Sequence, residues 1–164
     1  MDIALWDLCG IYLELPVYEL MGGTDPVVSG YASGLAFAHD DETTRTIYAD
    51  FAAGGFTTAK VKIGYPTLEE DLERLQLVES ALGPDCQLAV DINGTRTPKR
   101  AIRRIRQLRA IVMDILWIED PVPAANRARL KRVVDGLPQT LVNAGEYVDF
   151  NGKRDCSPRT PSTW

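Results

Sequence analysis

The sequence predicts an α/β fold built on a parallel sheet of about five βα units. Three observations carry that expectation. Segments rich in β-formers alternate strictly with segments whose apolar residues recur at helical spacing. Gly and Pro signals separate them. One ionisable residue closes each of four successive strands, Lys62, Asp91, Glu119 and Glu146, at intervals of 29, 28 and 27 residues.

The first twenty residues read as a helix. Ile3, Leu5, Trp6, Leu8, Cys9, Tyr12 and Leu13 are too many apolar groups for a surface helix, so it is expected to be largely buried. Pro16 and then Gly22 and Gly23 end it. β-Formers over 27–37 predict the first strand, interrupted by Gly30 and Gly34. An acidic start opens a helix over 41–53, stopped by Gly54 and Gly55. The second strand is expected at 57–63. Thr67 and Glu70 then form a capping-box pattern, and Glu69, Glu70 and Asp71 suit the positive end of a helix that runs to Gly83. A third strand is expected at 87–91. Thr97 and Pro98 open a basic helix with Lys99, Arg100, Arg103, Arg104, Arg106 and Arg109, whose apolar face is Ile102, Ile105, Leu108 and Val112. A strand at 115–119, a helix at 126–134 and a strand at 140–146 complete the pattern. Residues 155–164 hold two prolines and no periodicity, and are expected to be irregular. The division is therefore a leading helix (1–23), the βα units (24–154) and a tail (155–164). A barrel and an open doubly wound sheet both fit this alternation. No glycine-rich phosphate loop follows the first strand, which disfavours a dinucleotide-binding version.

Composition narrows the function. Apolar residues at 45% and charged residues at 25% exclude a disordered chain. No apolar run approaches the roughly 20 residues that span a bilayer, and the start has no signal-peptide pattern. A net charge of −5 argues against nucleic acid or an anionic membrane as main partner. The basic helix keeps a clean apolar face, so a solvated outer helix is the better reading of it. Cys9, Cys86 and Cys156 form no CxxC pair, so neither a disulfide framework nor a zinc site is expected, and a reducing cytoplasm fits.

The strand ends carry the chemistry. In parallel α/β folds the C-terminal edge of the sheet is where active sites are built. Lys60 and Lys62 share one face of their strand, while Val61 and Ile63 take the other. By the same alternation Leu88 and Val90 oppose Asp91, Leu116 and Ile118 oppose Glu119, and Leu141 opposes Glu146. The aliphatic side chains are thus expected to cover the helices and the charged ones to converge. Three converging carboxylates repel one another. A hard divalent cation, Mg²⁺ or Mn²⁺, offsets that repulsion. The two lysines supply positive charge for an anionic substrate, and crowding near the cation is expected to lower their pKa so that one can act as a base. Metal plus lysine points to removal of a proton next to a carboxylate. Plainer readings sit beside these. Asn93 could be a helix N-cap, Asp120 is expected to be structural, His39 to be a solvated loop residue, and Trp117 to be barrel packing.

Six stretches now fall into line: ALWDL at 4–8, PVYELMGG at 16–23, GFTTAKVKIG at 55–64, LAVDING at 88–94, WIEDPV at 117–122 and AGE at 144–146. In this order and spacing they resemble the mandelate racemase/muconate lactonizing enzyme branch of the enolase superfamily, over residues 1 to about 150. The resemblance implies an incomplete (β/α)₈ TIM barrel. It implies that Asp91, Glu119 and Glu146 bind Mg²⁺ and that Lys62 is the general base on one face of the substrate. Lys60 would touch the substrate carboxylate and tune Lys62, and Asn93 would sit beside metal or substrate. The implied activity is Mg²⁺-dependent abstraction of the proton α to a carboxylate, as in an acid-sugar dehydratase or racemase. A small carboxylate such as an acid sugar is the implied partner, and the parent enzyme is expected to be a homo-oligomer.

The sequence also departs from the family pattern, which has an N-terminal capping domain and eight barrel strands. The opposite-face group, a His–Asp dyad or another lysine, is expected on strands beyond the fifth. The chain is accordingly expected to be an incomplete reading of a longer gene, shifted in frame near Arg154 and without turnover alone. The alternative is an inactive truncated gene product that at most binds metal or a partner chain.

Overall fold

A computed structural model of the chain describes residues 1–34, 39–111, 115–123 and 126–147. The expected tail at 155–164, the frame shift near Arg154, Cys156 and the Val112 end of the basic helix lie outside the described residues. The chain divides into two compact units, Met1–Gly30 and Tyr31–Trp164.

The first unit holds α1 (Asp2–Leu13) and α2 (Val17–Leu20). Glu14 ends α1 in the left-handed conformation, and Pro16 sets the extended entry to α2. The expected burial of this helix is not found. Ile3, Leu5, Leu8, Ile11 and Tyr12 are exposed, and Gly10 is the only buried residue of α1. Apolar groups surround the helix, while its own unit offers only the four-residue α2 to pack against.

The second unit runs β1 (Ala32–Gly34), α3 (Asp41–Ala53), β2 (Thr58–Lys62), α4 (Leu68–Leu82), β3 (Gln87–Asp91), α5 (Pro98–Arg109), β4 (Ile115–Glu119), α6 (Arg127–Gly136) and β5 (Leu141–Asn143). All neighbouring strands are parallel and follow chain order, β1-β2-β3-β4-β5. A doubly wound sheet reverses its order at a switch point. Sequential order selects the other alternative, successive strands of a (β/α)₈ TIM barrel. Three strands are shorter than expected, β2 by one residue at each end. β1 has three described residues, and 35–38 of its expected span lie outside the described residues. β5 stops at Asn143, three residues before Glu146.

One face of the sheet packs on the helices. Val61, Ile63, Leu88, Val90 and Ile118 are buried in a cluster that includes Tyr48, Leu75, Val78, Ile105, Leu108 and Val133. At β4 the expected alternation needs a correction. The register shifts between Leu88 and Ala89, so Leu88 pairs with Ile115 and Ala89 with Trp117. Ile115 therefore takes the core position that alternation assigned to Leu116.

Side chains fix the helix starts. Asp40 accepts from the Thr43 N–H at 2.8 Å, Thr67 and Glu70 close the predicted capping box, and Asn126 caps α6. The arginines of α5 also hold the scaffold. Arg104 donates to Asp71 and to the carbonyls of Pro66 and Thr67, while Arg106 and Arg109 donate to the carbonyls of Gly136 and Gln139. Buried Asp71 also accepts from the N–H groups of Gly64 and Tyr65, which fixes the turn that follows Lys62. Tyr48 reaches across from α3. Its hydroxyl donates to the Lys60 carbonyl at 2.9 Å and lies 3.3 Å from that of Gly34. A Cβ on Gly34 would overlap the Tyr48 ring. Among the described residues no helix is long and apolar enough to cross a membrane.

Removing the Asp71 carboxylate strands a guanidinium and two amides. Asp71→Ala should lose about 3 kcal/mol of stability, read as a lower urea midpoint; an unchanged midpoint would contradict this role. Tyr48 gives a pH signature. Burial pushes its pKa up from 10.0 to about 12, with Arg74 pulling partly back. The folded state thus holds this proton more tightly than the unfolded chain. The resulting stability is complete below pH 10.0 and is lost as pH rises through about 12. Urea unfolding across that window should show a fall steeper in the parent chain than in Tyr48→Phe, by on the order of 2 to 3 kcal/mol. Equal falls in the two proteins would rule it out.

Candidate active site

Strand register builds the site. Cα pairing sets Lys62 opposite Asp91, Asp91 opposite Glu119, and Glu119 opposite Asn143. These residues form one row at the C-terminal edge of the sheet. Lys60 lies on the same face one step earlier, in a row with Ser33, Ala89 and Trp117.

Asp91 and Glu119 are both buried, and Lys60 is buried between them. Its Nζ lies 3.1 and 3.0 Å from the two Glu119 oxygens and 3.8 Å from Asp91 Oδ2. Burial pulls the Lys60 pKa down, but the Glu119 hydrogen bond and charge, then Tyr31 and Asp91, outweigh it, and the net shift is upward. That balance belongs to the carboxylates without a cation, whereas the expected lowering of the lysine pKa depends on a bound cation nearby. Lys62 is half-buried, and its Nζ makes no hydrogen bond or ion pair among the described residues.

Glu146 reaches the site by a different route. It sits in an exposed turn beyond β5, entered through Gly145 at φ 147. Strand alternation therefore does not relate it to Leu141, which is exposed. The turn still brings a Glu146 oxygen to within 4.8 Å of oxygens of Asp91 and Glu119. Opposite ligands of octahedral Mg²⁺ stand about 4.2 Å apart. Adjacent ligands stand about 3 Å apart, so the three carboxylates must draw closer to share one ion, and Glu146 lies on an exposed turn.

Asn93 is not a helix cap; Thr97 holds that position for α5. With φ 50, Asn93 turns back on Asp91, donating its N–H to Oδ1 at 2.9 Å and its side-chain amide to Oδ2 at 3.3 Å. Asp120 has a structural backbone, donating to the Asn143 carbonyl and accepting from the Gly94 N–H. Its buried carboxylate makes no hydrogen bond of full geometry among the described residues. Burial raises its pKa, the Gly145 N–H pulls it partly back, and Asp91, Glu119 and Glu146 raise it again. His39 is exposed.

One residue escaped the sequence reading. Tyr31 packs edge-on against Trp117, with ring centroids 5.0 Å apart, and its ring lies 5.9 Å from Lys60 Nζ. Tyr31 stands two residues before Ser33, so strand alternation applied to β1 was the available signal. Trp117 is half-buried, and its indole N–H has no partner among the described residues.

Comparison with known proteins gives a consistent set of relatives. Residues 44–150 match the family described as enolase C-terminal domain-like. The chain is 42% identical over 153 residues to the 3,6-anhydro-α-L-galactonate cycloisomerase of Streptomyces coelicolor, covering 92% of this chain and 42% of that enzyme. It is 36% identical to the arabinonate dehydratase of Saccharolobus solfataricus, covering 74% of this chain and 32% of that protein. A racemase from Streptomyces coelicolor A3(2) solved with bound magnesium matches with a TM-score of 0.80 and 37% identity, over 90% of this chain and 40% of that one. The chain thus spans less than half the length of these relatives.

The site predicts a metal response. A ligand that binds only the folded form stabilises it by about 2.7 kcal/mol at a hundred times its Kd. Mg²⁺ should raise the midpoint of thermal unfolding, and Glu119→Gln should abolish the rise. A melt unaffected by Mg²⁺ in the parent chain would count against the metal site.

Proposed function

The chain belongs to the enolase C-terminal domain-like family, in the mandelate racemase/muconate lactonizing enzyme branch of the enolase superfamily, and on that premise we propose that it carries the metal ligands and one base of an enzyme that removes the proton α to a carboxylate. The observation that supports this most is the meeting of Asp91, Glu119 and Glu146 within 4.8 Å, beside Lys60.

In this reading Asp91, Glu119 and Glu146 hold Mg²⁺, with Mn²⁺ as the alternative for the same oxygen ligands. The bound ion would supply positive charge against the negative charge that develops on the substrate carboxylate. Asn93 keeps Asp91 oriented as a ligand and is near enough to that edge to meet substrate as well. Lys60, which donates to both Glu119 oxygens, contacts the substrate carboxylate. Lys62, with its amine unpaired among the described residues, accepts the α-proton. Tyr31 and Trp117 form an aromatic wall beside Lys60. The sugar-acid names of two relatives favour an acid sugar as substrate. Loss of a β-hydroxyl gives dehydration and reprotonation gives racemisation, according to the group on the other face of the substrate.

The test uses a chimera in which this chain replaces the matching segment of the Streptomyces coelicolor cycloisomerase. In D₂O with Mg²⁺, NMR should show solvent exchange of the α-proton of an acid-sugar carboxylate. Lys62→Met should slow that exchange by about 10³-fold and leave Mg²⁺ affinity nearly unchanged, since Lys62 is not a ligand. Undiminished exchange in the variant refutes Lys62 as the base.

A further inference from the structure

We propose that a groove between the starts of α4 and α5 is a binding site for a small molecule carrying two or more oxyanion groups. The cavity is about 460 Å³, and Leu68, Arg96, Arg100, Arg103, Arg104 and Gln107 line it. No carboxylate is among its lining residues. Residues 96–109 hold seven cations and no acid, in a chain of net charge −5.

Three of the four guanidiniums are electrostatically unbalanced. Arg104 is neutralised by Asp71 and held by the carbonyls of Pro66 and Thr67. Arg96 donates to the Tyr65 carbonyl, which orients it without cancelling its charge. Arg100 and Arg103 are exposed and have no hydrogen bond or ion pair among the described residues. Of the three acids in the first turn of α4, Asp71 is engaged with Arg104 and Glu70 with Thr67 in the capping box, while Glu69 is exposed and is not among the lining residues. Gathering three positive charges around one cavity is unfavourable until an anion enters it.

The donors also define the ligand. A guanidinium presents a planar fork of N–H groups that matches carboxylate and phosphate oxygens two at a time. Two forks are anchored and two are free to close. The cavity falls in the range of about 300 to 1,000 Å³ that houses organic ligands, well beyond one phosphate ion. A diphosphate or a tricarboxylate fits both charge and size. None of the residues of the metal site lines this groove, so the proposal stands apart from the proposed activity.

Isothermal titration calorimetry on the full chain tests it, at fixed ionic strength and on protein freed of divalent cations over a chelating resin, so that no dissolved polycarboxylate competes for the groove. Pyrophosphate and citrate are the probes, and the tighter of the two identifies the phosphoryl or the carboxylate class. Saturable binding to one site is expected. R100Q/R103Q should weaken it by at least about tenfold. K99Q/R132Q removes the same charge from exposed positions outside the groove and should change it by less than about twofold. Absence of saturable binding of both probes, or similar weakening by the two double variants, overturns the proposal. All four substituted side chains are exposed, and circular dichroism should show unchanged helix content.

Discussion

Three carboxylates held within 4.8 Å of one another repel, and much of the sheet edge is organised around that repulsion. Lys60 answers it directly, forking both Glu119 oxygens and approaching Asp91. Its position depends on β2, and β2 is gripped from the helix side by Tyr48 at the Lys60 carbonyl. Asp91 is held by both donors of Asn93, which needs a left-handed backbone to turn back. Each contact fixes one charge, and the parallel register fixes their relative height. Asp120 is the exception: it adds a buried fourth carboxylate with no donor of full geometry among the described residues.

The sheet was legible because its signals are local. Gly stops, a capping box and strand alternation each depend on a few neighbouring residues, and the near-constant spacing of Lys62, Asp91 and Glu119 became a row of paired Cα atoms. The places where reading failed depend on what lies across the chain. The register shift at Leu88/Ala89 moved Ile115 into the core, which spacing along β4 alone does not reveal. β5 stops at Asn143, so Glu146 joins the site through a glycine turn that mimics the spacing of a longer strand. Asn93 is expected beside metal or substrate, with a helix cap as the plainer alternative; that it grips Asp91 follows from a positive φ that no pattern announced. The apolar richness of α1 pointed to burial, yet composition does not say what covers a helix.

The basic helix shows how one sequence feature serves two purposes. Ala101, Ile105 and Leu108 seat α5 on the core, as its spacing indicated. Its outer arginines then reach backbone carbonyls on either side, including those that precede α4 and follow α6. Carbonyls orient a guanidinium while leaving its charge in place. A scaffold clamped in this way gains rigidity and keeps a positive surface.

The fit of Tyr48 beneath Gly34 gives sequence drift a direction. The ring occupies the space that any side chain at position 34 would need. Shrinking Tyr48 first opens that space, and a larger residue at 34 can follow. The reverse order passes through an overlap inside the sheet that no rotamer change of a single methyl can relieve. The two positions are therefore epistatic, and a lineage that exchanged both would have changed the tyrosine before the glycine.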